Sequence, residues 1–237
     1  MPGPSDFPGH SVGSDLVAMP CLQGVFTRES PGKAQLSSFA GVVIMISLYR
    51  QCFDHMKSPS PSTICSFWET HYKLEKAITR CRSAMLGPYL NGQSSDDPNC
   101  LTLRMNLDTV EINLHKTALL QTEMDQLPAT LAVEASSKCT ASIVDMVAAL
   151  KIAEGMNGTK RDQLEQLNCF LVWPISTAIE SCLNLLDRSF NTGDANANCL
   201  RVFTSVSKTL LDSKNLAPGL LEKADARLAE FERGGLN

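Results

Sequence analysis

Residues 104–121 read RMNLDTVEINLHKTALLQ, and this stretch decides the fold of the chain. At about 100° per residue, its apolar side chains and those just before it fall on two rows on opposite sides of a helix. One row holds Leu103, Leu107, Val110, Leu114 and Ala118, and the other holds Leu101, Met105, Ile112 and Leu119. A helix that is apolar on two sides must pack between neighbours. The stretch therefore predicts a helix held between other helices.

The remaining edge of this helix is polar. Arg104, Asp108, Glu111 and His115 are spaced by four, three and four residues, which places them on one stripe. One hypothesis is that the stripe forms a metal site or an acid/base pair. The other is that it is the polar edge of a packing helix, in which residues four apart pair with each other: Arg104 with Asp108, and Glu111 with His115.

The metal-site hypothesis needs ligands from other helices. Helical di-metal sites repeat a Glu-x-x-His spacing on partner helices, whereas this chain offers a single Glu-x-x-x-His. The other histidines are His10, His55 and His71, and His71 falls on the apolar stripe of the second predicted helix. We therefore favour the structural interpretation and predict no catalytic, cofactor-binding or metal-binding residue in this chain.

Helical periodicity continues from about residue 36 to the end of the chain, and no segment alternates as a strand would. Breaker residues divide this region into about seven helices. The predicted fold is thus an all-α, multi-helix globular bundle, with residues 34–237 forming a single domain. Residues 1–33 are rich in Pro, Gly and Ser, which predicts a largely disordered or extended N-terminal segment.

Three residues mark where the later helices bend or begin. Pro174 lies in the middle of the fifth helix and predicts either a kink or two abutting helices, because proline removes a backbone hydrogen bond. Asp194 is suited to cap the sixth helix, and Pro218 is suited to the first turn of the seventh.

Composition excludes several classes of function. The net charge of −4 argues against a protein that binds nucleic acid or another polyanion through its overall charge, because contact with phosphates needs a basic surface. The longest uncharged run, residues 34–49, has sixteen residues, and a membrane span needs about 20. The glycine-containing signatures of hydrolases, P-loops and dinucleotide sites are missing from the sequence. These patterns predict a protein that is not an enzyme, spans no membrane and does not bind DNA specifically by itself.

The nine cysteines are spread along the chain, and no two lie closer than thirteen positions. No C-x-x-C pair exists, so local ligands cannot assemble a zinc finger or a zinc cluster. We interpret the cysteines as reduced, mostly buried thiols of an intracellular protein.

Four segments follow one another in an order seen in a known family. They are LSSFAGVVIMISLYRQCFDH at 36–55, FWETHYKLEKAI at 67–78, MNLDTVEINLHKTAL at 105–119 and FLVWPISTAIESCLNLL at 170–186. In this order they resemble the latter part of the middle regulatory domain of fungal zinc-cluster transcription factors. The resemblance extends from about Met19 to Phe231, and it implies an all-helical regulatory domain in which His115 is a structural member.

The resemblance also implies a function for this domain. It predicts a nuclear regulatory and interaction domain that controls RNA polymerase II transcription of metabolic genes, among them secondary-metabolite clusters. Its partners would be the transcription machinery or a second regulator, with a homodimer and a small-molecule effector also compatible with the family. Zinc is expected only in the family's N-terminal DNA-binding module, which we expect this chain to lack. The alternative is an all-α metal-dependent enzyme that uses Asp108, Glu111 and His115, joined by His71.

Overall fold

The computed structural model describes residues 38–57, 64–88, 98–155, 158–159, 162, 168–188, 193–210 and 219–234. These residues contain helices and connecting turns and no strand, which confirms the all-α prediction. The predicted N-terminal segment, residues 1–33, lies outside the described residues. The helices are α1 (Ser38–Lys57), α2 (Ile64–Pro88), α3 (Pro98–Met124), α4 (Ala129–Glu154), α5 (Asn168–Asp187), α6 (Gly193–Leu210) and α7 (Leu220–Gly234).

Helix α3 lies between two hydrophobic clusters, as its two apolar rows predict. Leu103, Leu107, Val110 and Leu114 belong to a smaller cluster with side chains of α1 and α2. Leu101, Met105, Ile112 and Leu119 belong to a larger cluster with side chains of α4, α5, α6 and α7. The placement of Ala118 on the first row was wrong, because this residue packs in the larger cluster. The two clusters together bury α3 along almost its whole length.

A tight turn joins α3 to α4. The backbone N–H of Leu127 donates to the carbonyl of Thr122 at 2.9 Å, and Gln126 adopts a φ of 52°. So short a connection makes the two helices antiparallel neighbours. Helix α4 then presents one stripe of side chains to the larger cluster, and four residues of this stripe are fully buried: Cys139, Ile143, Met146 and Leu150.

Helix α5 continues through Pro174 as one helix, so of the two expectations the one of two abutting helices was wrong. Proline at this position cannot donate to the carbonyl of Phe170, four residues earlier. The side-chain amide of Asn106 on α3 donates to that carbonyl instead, at 3.4 Å, and also to the carbonyl of Thr102 at 2.8 Å. A buried asparagine thus supplies the hydrogen bond that the proline removes, and it ties α3 to α5.

Replacing Pro174 by alanine is expected to change the free energy of unfolding by no more than about 1–2 kcal/mol. Alanine restores the backbone N–H donor and has a higher helix propensity. It also raises the conformational entropy of the unfolded chain, and its N–H competes with Asn106 for the Phe170 carbonyl. Urea denaturation of Pro174→Ala beside Ser176→Ala, a control two residues away, measures the change. A loss of several kcal/mol would contradict this account and assign an essential geometry to the proline ring.

The starts of the last two helices differ in detail from expectation. Asp194 lies inside the first turn of α6, which begins at Gly193, and so it is not the residue that precedes the helix. A carboxylate in the first turn still interacts favourably with the exposed backbone N–H groups there. Pro218 lies outside the described residues. The described cysteines form no disulfide, and six of the seven are buried, as predicted.

Candidate functional site

The polar stripe of α3 meets an arginine from α2. Arg82 donates to Asp108 Oδ1 at 2.5 Å and also to Glu111 Oε2. On the other side, the hydroxyl of Ser142 on α4 donates to Glu111 Oε2 at 3.0 Å. We call these four residues the ion cluster. Because its members come from three helices, the ion cluster fixes α2 and α4 against the middle of α3.

Burial dominates the electrostatics of the ion cluster. The Asp108 side chain is fully buried, and that burial raises its pKa to about 7, although the Arg82 guanidinium acts in the opposite direction. Its second oxygen, Oδ2, is buried without a hydrogen-bond partner. A buried pair of this kind adds little net stability, but losing one partner leaves an uncompensated charge in the interior. The main effect of the ion cluster is therefore to favour this one arrangement of the helices, and its net contribution to the free energy of unfolding is small.

One turn beyond Glu111, the stripe ends in a group of histidines. The ring of His115 lies 5.5 Å from that of His71 on α2, and the His71 ring lies 6.0 Å from that of His55 on α1, measured between centroids. We call these three the histidine cluster. All three are buried, and each has a ring nitrogen without a hydrogen-bond partner: Nε2 of His55, Nδ1 of His71 and Nε2 of His115.

The histidine cluster is uncharged at neutral pH. Burial, with a smaller contribution from His115, lowers the pKa of His71 to about 3. Burial and the nearby Lys138 ammonium lower the pKa of His115 to about 4. Lys138 is itself held by Glu75 at 2.6 Å and Glu134 at 2.9 Å. Neutral imidazoles stacked on aromatic rings behave as core side chains, and a charge on any of them would be costly.

His71→Phe is expected to make the protein less sensitive to acid. The unfolded chain protonates His71 near the ordinary pKa of 6.5, whereas the folded chain leaves it neutral until about pH 3. Stability is therefore lost as the pH falls from 6.5 towards 3. Between about pH 7 and pH 5 this one group accounts for roughly 1–2 kcal/mol, a loss that the variant avoids.

The comparison of parent and variant isolates the histidine. Asp108 changes the stability in the opposite direction with pH. Burial raises its pKa from 3.8 to about 7, so its contribution lowers the stability as the pH rises through that interval. That contribution is common to both proteins and cancels in the difference. Urea denaturation at about pH 7 and pH 5 gives the measurement, with Tyr72→Phe on the same helix as control. Equal losses in parent and His71→Phe would contradict the assignment.

The structure divides the stripe that the sequence presents as one row. Asp108 and Glu111 bind Arg82 across helices, in place of the direct contacts predicted within α3 between Glu111 and His115 and between Asp108 and Arg104, although the charge of Arg104 still acts favourably on the Asp108 carboxylate. Sequence reasoning missed Arg82 and Ser142 as partners. The pattern signals Arg82 only weakly, since it lies 26 residues from Asp108 in sequence.

The residues of the alternative metal enzyme do not come together as one ligand set. Asp108 and Glu111 belong to the ion cluster, whereas His71 and His115 belong to the histidine cluster. Among the described residues, no group of three or more His, Cys, Asp or Glu side chains is placed to hold a metal ion. That this chain carries no cofactor and no catalytic residue stays a prediction.

Within the described ranges, no helix combines the length and the apolar character that crossing a membrane requires.

Comparison with known proteins gives two relatives with the same description in two fungi. The chain is 26% identical over 187 residues to the depudecin biosynthesis cluster-specific transcription activator DEP6 of Fusarium langsethiae, an alignment that covers 77% of this chain and 30% of the relative. It is 28% identical over 180 residues to the protein of the same name in Alternaria brassicicola, covering 74% of this chain and 27% of the relative. The resemblance to a fungal transcription factor is confirmed.

The similarity covers most of this chain but a much smaller share of each relative. The chain spans less than a third of the length of these relatives, while most of its own length is matched. No protein-family model matches the chain significantly, and neither does any solved structure. The described residues of this chain are helices packed around α3.

Proposed function

We propose that this chain is a regulatory and interaction unit of a fungal transcription factor that controls a metabolic gene cluster in the nucleus. The similarity over about three-quarters of the chain to two cluster-specific transcription activators carries the proposal. RNA polymerase II transcription is the process on which the unit acts. Its partners are the transcription machinery or a second regulator.

The chemistry of the interior supports a unit that binds partners and does not catalyse. Arg82 binds Asp108 and Glu111, and the ring of His71 packs against that of His115, so these polar residues take part in the packing of the helices. They hold α2, α3 and α4 in register. A fixed packing of this kind suits a scaffold that presents its outer surface to other proteins.

DNA contact in this proposal comes from another segment or another protein. The net charge of −4 gives the chain no general attraction for phosphates, and its cysteines offer no local zinc-ligand pair. Zinc therefore belongs to a DNA-binding module apart from these residues. The purified chain is expected to show no sequence-selective binding to duplex DNA at physiological salt.

A tethering experiment tests the proposal. The chain is fused to an unrelated DNA-binding module and directed to a reporter promoter in a fungal host, and reporter transcript is compared with that from the module alone. We expect a several-fold increase, because the relatives are named activators. A fusion carrying Arg82→Met, in which the helix packing is disrupted, is the matched control and should lose the effect. Unchanged transcript with a folded fusion, or selective DNA binding by the purified chain, would overturn the proposal.

A further inference from the structure

A cavity of about 420 Å³ lies between the last turns of α1 and the first turns of α2. Its volume is at the small end of the range of about 300–1,000 Å³ for sites that bind small molecules. Its lining includes three buried side chains, His55, Phe67 and Leu74, and three more polar ones, Gln51, Asp54 and Thr70. The first three residues we call the floor of the cavity, and the last three its rim.

The floor is flat and largely aromatic. The imidazole of His55 stacks on the ring of Phe67, with centroids 4.5 Å apart and planes inclined by 29°. His55 is only 8% exposed, and its Nε2 has no hydrogen-bond partner. Burial lowers the pKa of His55, so this ring is neutral and contributes an uncharged aromatic surface to the floor. Such a floor suits the flat or alkyl body of a small organic molecule.

Among the described residues that line the cavity, the carboxylate of Asp54 is the one ionised group, and none of these residues is a lysine or an arginine. Arg50 approaches Asp54 only to 3.9 Å, and both side chains are mostly exposed, so this pair is weak and exchangeable. The nearby cations are engaged elsewhere: Lys57 lies over the ring of Phe53, and Lys73 bonds Glu69 at 2.6 Å. The rim therefore favours a cation and disfavours an organic acid.

The hydroxyl of Thr70 completes the rim. It donates to the backbone carbonyl of Ser66 at 2.9 Å, which leaves its oxygen lone pairs to accept from a ligand. An ammonium group offers three donors and no acceptor. The carboxylate of Asp54, the hydroxyl of Thr70 and the amide oxygen of Gln51 in the rim thus match the donors of an amine.

We propose that this cavity binds a small organic amine, whose ammonium group lies at Asp54 and whose aromatic or alkyl body lies over His55 and Phe67. The inference rests on the geometry of α1 and α2 and is independent of the role in transcription. Within the proposed function it gives the unit a site for an effector.

Binding of three amines to the purified chain tests the inference. Tyramine, tryptamine and agmatine are titrated and followed by nuclear magnetic resonance, beside 3-(4-hydroxyphenyl)propionate, an anion with a body like that of tyramine. We expect at least one amine to bind with a Kd below about 1 mM and the anion to bind at least tenfold more weakly. The signals of Phe67 and Thr70 should shift on binding.

Variants separate a specific site from general attraction of cations to an acidic protein. Asp54→Asn should weaken amine binding about tenfold, whereas Glu180→Gln, which removes an exposed carboxylate on α5, should leave it unchanged. Both side chains are exposed, so neither change threatens folding. Absence of binding by all three amines, equal binding of the anion, or equal loss in the two variants would each overturn the inference. None of these results bears on the tethering experiment.

Discussion

Arg82→Met is expected to lower the free energy of unfolding by about 3–5 kcal/mol, because it leaves the buried carboxylate of Asp108 without a cationic partner. The Asp108 side chain is fully buried, and its Oδ2 has no partner even when Arg82 is present. Without the guanidinium, Asp108 must either remain charged in the interior or take up a proton. Chemical denaturation of the parent and the variant at about pH 8 measures the loss.

A matched substitution and a change of pH distinguish this mechanism from simple loss of packing. Arg201→Met removes an exposed arginine that binds Glu232 at 2.9 Å on the surface, and it should cost no more than about 1 kcal/mol. The loss in Arg82→Met should shrink at about pH 5, where the stranded Asp108 is protonated in the folded state. Adding Asp108→Asn to Arg82→Met should recover part of the stability. If Arg82→Met denatures like the parent, the ion cluster does not hold α2 and α3 together.

The centre of the fold could be predicted from α3 alone, because apolar spacing reports which sides of a helix are covered. Leu107 and Met105 lie two residues apart on opposite sides, and the structure places them in different hydrophobic clusters. Periodicity, however, says how many sides are buried and nothing about which helix covers each. Ala118 shows the limit, since a small side chain near the boundary of a row can pack on either side.

The partners of the polar stripe could not be predicted in the same way. Residues four apart on one helix always suggest a pair, yet Asp108 takes an arginine 26 positions earlier because that arginine is brought in by the packing of α2. Lys138 lies off the buried stripe of α4, yet the structure places it against Glu75 of α2 with only 34% of its side chain exposed. Contacts between helices depend on tertiary packing, and the residue pattern within one helix gives no information about it.

The asparagine that supports α5 shows why Pro174 was hard to interpret. Proline in a sequence indicates a missing backbone donor and a ring that crowds the carbonyl four residues earlier. Whether the carbonyl that loses its partner finds another donor depends on the tertiary packing, and here Asn106 donates to it from α3. The compensating residue lies 64 positions from Phe170, so no local pattern points to it.

Ile143→Ala is expected to destabilise the protein by about 2–5 kcal/mol. Ile143 is fully buried in the larger cluster, between residues of the same stripe on α4. Alanine removes three carbon atoms from a site that the surrounding helices can fill only in part, so the loss combines apolar transfer with a cavity. Since domains are stable by only about 5–15 kcal/mol, a loss of this size removes a large share of the total stability. Thermal and urea denaturation measure the change.

The neighbouring residue supplies the control. Val144→Ala removes two carbon atoms one position further along the same helix, but Val144 is 44% exposed, so its loss should stay below about 1 kcal/mol. Both substitutions replace a β-branched residue by alanine and raise helix propensity alike, so the difference between them reports burial. Equal effects, or a larger effect at Val144, would mean that α4 is rotated by about one residue from the orientation described, and that its stripe does not face the larger cluster.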